Sequence, residues 1–192
     1  MGYKIKKRKV APQLLKLDLG CGQNKAEGFT GVDKASLDTV DIVHDLFVFP
    51  WPFKDGSVEE VHSSHFFEHV PGNLRGKFMD ELYRIMIWEA RARFIVPYWS
   101  SKRSVQDFTH EWPPICEDSF LYFNKNFRDT NKLTHGCYDL KCDFDFSWGY
   151  VIGNELGMRS EEYRQHVIQH EVNTVSDLDV TLRKAKREEP KK

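Results

Sequence analysis

The sequence predicts an α/β fold built on a mostly parallel β-sheet. Short apolar runs of strand length recur along the first hundred residues, and several of them end in a glycine or an acidic residue. A longer stretch with helical spacing separates the fourth run from the fifth. The length of 192 residues fits a single domain with its own hydrophobic core.

The first three predicted strands place polar groups where a nucleoside could bind. The apolar run over residues 14–19 is followed directly by Gly20 and Gly22, and glycine lets the backbone turn sharply and approach a ligand because it has no Cβ. Residues 29–33 and 41–45 predict two further strands, each ending in a carboxylate. The first carboxylate could accept both hydroxyls of a ribose, and the second could meet an adenine amino group. This spacing predicts a nucleoside site at the carboxyl edge of the sheet.

These segments resemble the class I S-adenosylmethionine-dependent methyltransferases, and most closely their small-molecule type 11 group. The resemblance spans residues 14–98 and rests on LDLGCG at 17–22, GVD at 31–33, HDL at 44–46 and FPWPFKDGSVEEVHSSHFFEHV at 49–70. It implies a Rossmann-like, doubly wound, mostly parallel seven-stranded sheet with a C-terminal antiparallel hairpin. It also implies S-adenosyl-L-methionine as cofactor, S-adenosyl-L-homocysteine as product, and in-line transfer of a methyl group to a small-molecule acceptor.

The resemblance also implies which residues hold this cofactor. Asp18 and the two glycines would lie under the methionine part, Asp33 would hold the ribose, and Asp45 with Leu46 would frame the adenine. The complete predicted cofactor set is Asp18, Leu19, Gly20, Cys21, Gly22, Asp33, Lys34, Asp45, Leu46, Ser64 and His65.

A nicotinamide dinucleotide site is the rival interpretation of the glycine turn. That site requires a third glycine in G-x-G-x-x-G, where this chain has Lys25, and it places the ribose acid about 20 residues further on. Asp33 follows Gly22 by only eleven residues. The short spacing favours the methyltransferase interpretation and predicts a very short helix or an irregular loop around residues 23–28.

Alternation and helical spacing predict the next elements. Residues 57–63 alternate as a fourth strand, and apolar residues at helical spacing follow over 74–86, with Asn73 as a plausible N-cap. Residues 90–96 predict a fifth strand. In the family a K-P-G-G-like turn usually precedes that strand, whereas this chain has Ile-Trp-Glu-Ala at 87–90.

The remainder of the chain suits the implied hairpin. Residues 140–152 and 173–185 are β-rich, and residues 160–170 between them have helical spacing with acids in the first turn. We therefore expect one methyltransferase domain over 1–192, which includes a basic N-terminal arm (1–11), an aromatic-rich substrate lid (99–138) and a flexible tail (186–192).

His65-Phe66-Phe67-Glu68-His69 is a formal H-x-x-E-H string, the pattern of one class of zinc peptidases. Both histidines of that pattern must lie on one helix face to reach the metal, but this string follows a strand and runs into Pro71. A zinc hydrolase is therefore a remote alternative, and we expect no bound metal. The family-like prediction is that His65 lines the transfer site while Glu68 and His69 brace the loop by hydrogen bonds.

The lid segment supplies further candidates for chemistry. Asp107-Phe108-Thr109-His110 is similar to a D-x-x-H string that covers the acceptor in related enzymes. His65, Asp107 and His110 are the predicted catalytic residues, because each could take a proton from an acceptor. For most of the rings in this segment, packing in the core is the better interpretation.

Composition and short motifs indicate which class of acceptor and which cellular compartment to expect. A net charge of −1 provides no general attraction to nucleic acid or membrane. Methylation of a flipped base is also disfavoured, because Ser-His-Phe-Phe stands at 64–67 where an Asp/Asn-Pro-Pro-aromatic tetrad is needed. Four cysteines without CxxC spacing and the lack of a signal-like segment predict a cytoplasmic protein. A non-catalytic subunit that binds the cofactor or a partner is the open alternative.

Overall fold

The computed structural model describes residues 13–133 and 139–185. The predicted basic arm, the predicted tail, Cys137 and the last five residues of the predicted lid lie outside the described residues.

A seven-stranded mixed sheet organises the fold. Strands β1 to β5 run parallel to one another, and β7 is antiparallel to both β5 and β6. The spatial order is β3-β2-β1-β4-β5-β7-β6. This arrangement confirms the predicted parallel sheet with a C-terminal antiparallel hairpin. The strands are β1 (Leu15–Leu19), β2 (Thr30–Asp33), β3 (Ile42–Val43), β4 (Val58–Ser64), β5 (Met86–Pro97), β6 (Phe144–Ile152) and β7 (Val175–Lys184).

The helices are concentrated in the second half of the described chain. They are α1 (Gly72–Ile85), α2 (Arg103–Gln106), α3 (Lys125–Thr130), α4 (Asn154–Gly157) and α5 (Glu161–His170), with two 3₁₀ helices at Phe67–His69 and Glu117–Phe123. Helix α1 connects β4 to β5, and its apolar face is buried as the helical spacing predicts. No described helix is both long and apolar enough to cross a membrane.

The connection from β1 to β2 is an irregular loop, as the short spacing predicts. Asp18 holds this loop, because its Oδ2 accepts a hydrogen bond from the Ala26 backbone N–H at 2.7 Å. Asp41 holds the start of β2, because its Oδ2 accepts from the Gly31 N–H at 2.7 Å and pairs with Lys25 Nζ at 2.8 Å. This connection contains no crossover helix. Hydrogen bonds from backbone N–H groups to the two carboxylates hold it in place instead.

Strand β5 begins four residues earlier than the sequence predicts. The pairing with β4 jumps from Val58–Met86 to Glu60–Arg91, so that residues 87–90 form a bulge instead of a separate turn. Glu89 has a positive φ of 65° within this bulge. The bulge takes the place of the family's glycine-containing turn, and it joins α1 directly to the strand.

An aromatic cluster forms the centre of the core and includes part of the predicted lid. The Phe67 ring lies 5.4 Å from Phe94 and 5.5 Å from Phe78, centroid to centroid. Phe120 and Phe123, which the sequence places in the lid, are buried against Phe67. The second half of the lid segment is therefore anchored in the core, and the loop that follows β4 is anchored with it.

Candidate functional site

Three cavities meet at the carboxyl edge of the parallel strands. Their volumes are about 610, 340 and 190 Å³. Gly20 lines the first two, His69 lines the first and third, and His65 lines all three. His65 thus stands where the three cavities join.

The 610 Å³ cavity contains the carboxylates that follow the second and third strands. Asp33 at the end of β2 and Asp45 just beyond β3 both line it, and so does Lys34. The predicted Leu46 also lines it. The sequence analysis missed Phe47, Phe66, Phe108, Thr109 and Glu111, which complete the lining.

Asp33 is fixed by the backbone around it. Its Oδ2 accepts a hydrogen bond from the Gly22 N–H at 3.0 Å, and its Oδ1 accepts from the Ala35 N–H at 2.9 Å. An ionised carboxylate has about four acceptor positions. Asp33 therefore retains the capacity to accept the two hydroxyls of a ribose while it connects the glycine turn to the loop after β2.

The glycine turn accommodates a ring from the loop after β4. Gly20 has a φ of +70°, and a Cβ at this position would lie 2.1 Å from the Phe66 ring. Only glycine satisfies both the backbone conformation and this close approach. Gly20 also lines the 340 Å³ cavity, together with Asp18, Cys21, Gly22 and Ser64.

Asp18 is a buried residue in the lining of this second cavity. It is only 1% exposed, and its Oδ1 lies 2.9 Å from His62 Nδ1. Burial, with the nearby Asp18 charge, raises the pKa of Cys21 to about 11, so its thiol is neutral at pH 7. Leu19, which the resemblance includes in the cofactor set, is fully buried in the core and lines none of these three cavities.

The 190 Å³ cavity brings the three predicted catalytic residues together. His65, Asp107 and His110 all line it, with Glu68, His69, Pro97, Arg103 and Gln106. A backbone hydrogen bond from Glu111 N–H to the Glu68 carbonyl oxygen, 2.9 Å, closes the lid segment onto the loop after β4.

His65 is held in an unusual conformation. It has a positive φ of 55° immediately after β4, a strained backbone region that is concentrated at functional sites. Its Nδ1 lies 3.5 Å from Glu68 Oε1, and its Nε2 lies 3.5 Å from Arg103 Nη2 and 3.9 Å from Asp177 Oδ1. Interaction with Glu68 raises the pKa of His65, and the negative charge of Asp177 adds to it, against the opposing effects of burial and Arg103.

Asp107 and His110 have different surroundings. Asp107 Oδ1 accepts hydrogen bonds from the Thr109 N–H at 2.9 Å and the Thr109 hydroxyl at 2.7 Å, which lower the pKa of Asp107. This carboxylate is poorly suited to take a proton at neutral pH. His110 is mostly buried, and its ring contacts the ring of His69 edge to face, with centroids 4.8 Å apart.

Sequence reasoning missed Asp177, and its contact with Arg103, because the position of Asp177 depends on tertiary pairing. Asp177 is opposite Pro97 in the β5–β7 pairing, which brings a residue from the last strand to the mouth of the site. Arg103 Nη1 lies 2.8 Å from Asp177 Oδ2. No local spacing in the sequence indicates this contact across 74 positions.

Several solved structures that resemble this fold are methyltransferases. No protein-family model and no curated protein sequence matches the chain. A SAM-dependent methyltransferase from Archaeoglobus fulgidus is 17% identical, with 90% of this chain and 87% of that chain covered and a TM-score of 0.58. A geranyl diphosphate methyltransferase in complex with SAM is 13% identical, with 92% and 80% covered and a TM-score of 0.54.

The strand order and these structural neighbours agree with the resemblance seen in the sequence. The order β3-β2-β1-β4-β5-β7-β6 is that of the class I methyltransferases. This chain therefore has the fold of the class I S-adenosylmethionine-dependent methyltransferases.

Proposed function

We propose that this chain transfers a methyl group from S-adenosylmethionine to a small-molecule acceptor. The observation that carries the proposal is the junction of the three cavities at His65. One cavity suits a nucleoside, the next lies over the glycine turn, and the third collects polar side chains beside them. A reaction between a cofactor and an acceptor requires such adjacent compartments.

The residues present fit this cofactor. Asp33 would hold the ribose, and Asp45 with Leu46 and Phe47 would surround the adenine. The 340 Å³ cavity beside the turn would take the methionine part, because Gly20, Gly22 and Ser64 line it. When bound, S-adenosylmethionine supplies a methyl group on a positively charged sulfur, which a nucleophile can displace in line.

The protein's own contribution is to align the acceptor and exclude water. His65 lines every compartment and is therefore the residue best placed to contact the acceptor. The 190 Å³ of the third cavity is below the roughly 300–1,000 Å³ of pockets for drug-sized ligands. This size supports a small metabolite as acceptor, and the neighbour that is named a geranyl diphosphate methyltransferase also acts on a small molecule.

The proposal is tested by offering fractionated metabolites to the protein together with cofactor labelled in its methyl group. The expected result is at least one labelled small molecule whose formation depends on the protein. Should no acceptor emerge while a protein partner co-purifies through the described lid surface (99–133), the chain is a partner-binding subunit and the enzymatic proposal is wrong.

Once an acceptor is identified, Asp107→Ala and His110→Ala are each expected to lower kcat at least about tenfold, His110 because it could take a proton and Asp107 because it lies 3.9 Å from His110 Nε2 and would position it. Both residues line the third cavity, so the Kd for S-adenosylhomocysteine should change by less than about threefold. Asp118→Ala is the matched control, because this residue in the same segment lines none of the three cavities. Steady-state kinetics and calorimetry separate the two effects, and an equal loss of turnover in the control would contradict the assignment.

A further inference from the structure

We propose that Glu68, His69 and His110 form a binding site for a divalent transition-metal ion of the zinc class. The potential ligand atoms of these three side chains all lie within 4.8 Å of one another. Glu68 and His69 come from the loop after β4, and His110 comes from the segment after β5. All three line the 190 Å³ cavity.

The carboxylate of Glu68 is buried without a hydrogen-bond partner. The residue is 5% exposed, and neither carboxylate oxygen has a hydrogen bond within the described parts of the chain. His65 Nδ1 lies 3.5 Å from Oε1, an ion-pair distance without hydrogen-bond geometry. The buried Arg75 donates instead to the carbonyl oxygens of Val70, Glu111 and Pro113. A buried carboxylate of this kind is expected to be paired or to coordinate a metal.

The hydrogen bonds of His69 leave its Nε2 lone pair free. Its Nδ1 lies 3.2 Å from the Thr109 carbonyl oxygen and 3.1 Å from the Thr109 hydroxyl. That hydroxyl donates its own hydrogen to Asp107, so it can only accept from His69. Both contacts require a proton on Nδ1, and Nε2 is therefore the unprotonated nitrogen of the neutral ring.

His110 has the same tautomer for the same reason. Its Nδ1 lies 3.1 Å from the Ser104 carbonyl oxygen, which can only accept, so Nδ1 carries the proton and Nε2 carries the lone pair. A ring N–H that donates to a backbone carbonyl is the arrangement that orients histidines bound to metals. Two histidines in this state line the same small cavity as one buried carboxylate that accepts no hydrogen bond within the described residues.

These three ligand atoms suit a metal ion of intermediate softness, such as Zn²⁺, and leave one coordination position open. Two imidazole nitrogens and one carboxylate oxygen form the three-ligand set of catalytic zinc sites, in which a fourth position holds water or substrate. This is not the zinc-peptidase arrangement of the H-x-x-E-H string, because only a single 3₁₀ turn follows His65. The sequence analysis expected no metal because the string lacks the helix geometry of the zinc peptidases, and His110 now supplies a ligand from outside the string.

The role of the metal rests on the proposed methyl-transfer function. Because the cavity that contains the three ligands also contains His65, the open position would face the acceptor compartment. The acceptor class that fits is a small molecule with a hydroxyl or carboxylate oxygen that can coordinate the ion close to the atom that receives the methyl group.

The test is calorimetric titration of Zn²⁺ into protein that has been freed of metal by a chelator. Wild type is expected to bind one Zn²⁺ per chain with a Kd of about 1 μM or lower, in the range of specific sites. Glu68→Gln and His110→Ala should each weaken binding at least about tenfold, because loss of an outer-shell partner alone costs about 10–100-fold. Circular dichroism establishes that each variant is folded, and either variant alone is decisive if the other does not fold.

His170→Ala is the control for adventitious binding. His166 and His170 stack on α5 with ring centroids 4.5 Å apart and are a second pair of neighbouring histidines. This variant should keep the wild-type Kd and stoichiometry. Absence of stoichiometric Zn²⁺ binding, binding that His110→Ala leaves unchanged, or binding lost in His170→Ala would overturn the proposal. S-adenosylhomocysteine titrated into the same metal-free protein reports separately on the proposed function.

Discussion

Replacing Asp33 with alanine is expected to weaken the binding of S-adenosylhomocysteine about a hundredfold. The substitution removes a carboxylate acceptor for two ribose hydroxyls, and hydrogen bonds to a charged group contribute about 1.5–3 kcal/mol each. A combined loss of about 3 kcal/mol corresponds to the hundredfold change in Kd. The effect is large because Asp33 is the strand-tip acid that is fixed against the glycine turn, through Gly22 N–H at 3.0 Å.

Isothermal titration calorimetry measures this change directly. Asp38→Ala is the matched control, since Asp38 is an acid on the loop after β2 and lines none of the three cavities. Thermal unfolding shows whether the Asp33 variant remains folded, which matters because Asp33 also accepts hydrogen bonds from two backbone N–H groups. A folded Asp33 variant whose Kd lies within about threefold of wild type would refute the assignment of the ribose acid.

Phe67→Ala is expected to lower the free energy of unfolding by about 3–5 kcal/mol. The side chain is 2% exposed and packs against Phe78, Phe94, Phe120 and Phe123. Its removal leaves a cavity where α1, β5 and the lid segment meet, and the rigid β-strand and helix around it can relax only in part. The substitution should also disturb the position of His65 in the site, because Phe67 anchors the loop that carries this histidine.

Denaturant unfolding with a two-state fit provides the comparison. Phe108→Ala is the control, because this ring is 98% exposed and its truncation should change the free energy of unfolding by less than about 0.5 kcal/mol. Equal destabilisation by the two substitutions would show that Phe67 is not the centre of the core.

Local patterns are sufficient to predict the parallel half of the sheet. Apolar runs bounded by glycine or acid indicate β1 to β4, and the parallel direction brings the ends of these strands to one edge. The positions of Asp33, Asp45 and Gly20 at strand ends therefore predict that they share one site, and all three line the 610 Å³ cavity. The irregular loop after β1 is predictable for a related reason, because eleven residues leave little room for a crossover helix.

Features that depend on tertiary packing cannot be predicted from local sequence patterns. The bulge over residues 87–90 is a shift in the pairing of β5 with β4, and this register depends on both strands together. The apolar residues of the lid have no periodic pattern that separates Phe120, which is in the core, from Phe108, which is exposed. Whether one of these lid residues is buried depends on how it packs against the neighbouring strands and helices.

The acceptor side of the site is predictable only in part. Resemblance identifies His65 and the Asp107–His110 string, and the structure brings them into one cavity. The approach of His110 to Glu68, and of Asp177 to His65, joins segments that are far apart in the chain. The metal site proposed above depends on the first of these contacts, which explains why the sequence alone indicates no metal.

The cleft formed by the three cavities is proposed to hold S-adenosylmethionine and its demethylated product. Titration of S-adenosylhomocysteine into wild-type protein by calorimetry tests this proposal most directly. We expect one molecule bound per chain with a Kd in the range of about 1–100 μM, and no measurable heat from NAD under the same conditions. Absence of binding by S-adenosylhomocysteine, or equal binding by NAD, would contradict the account.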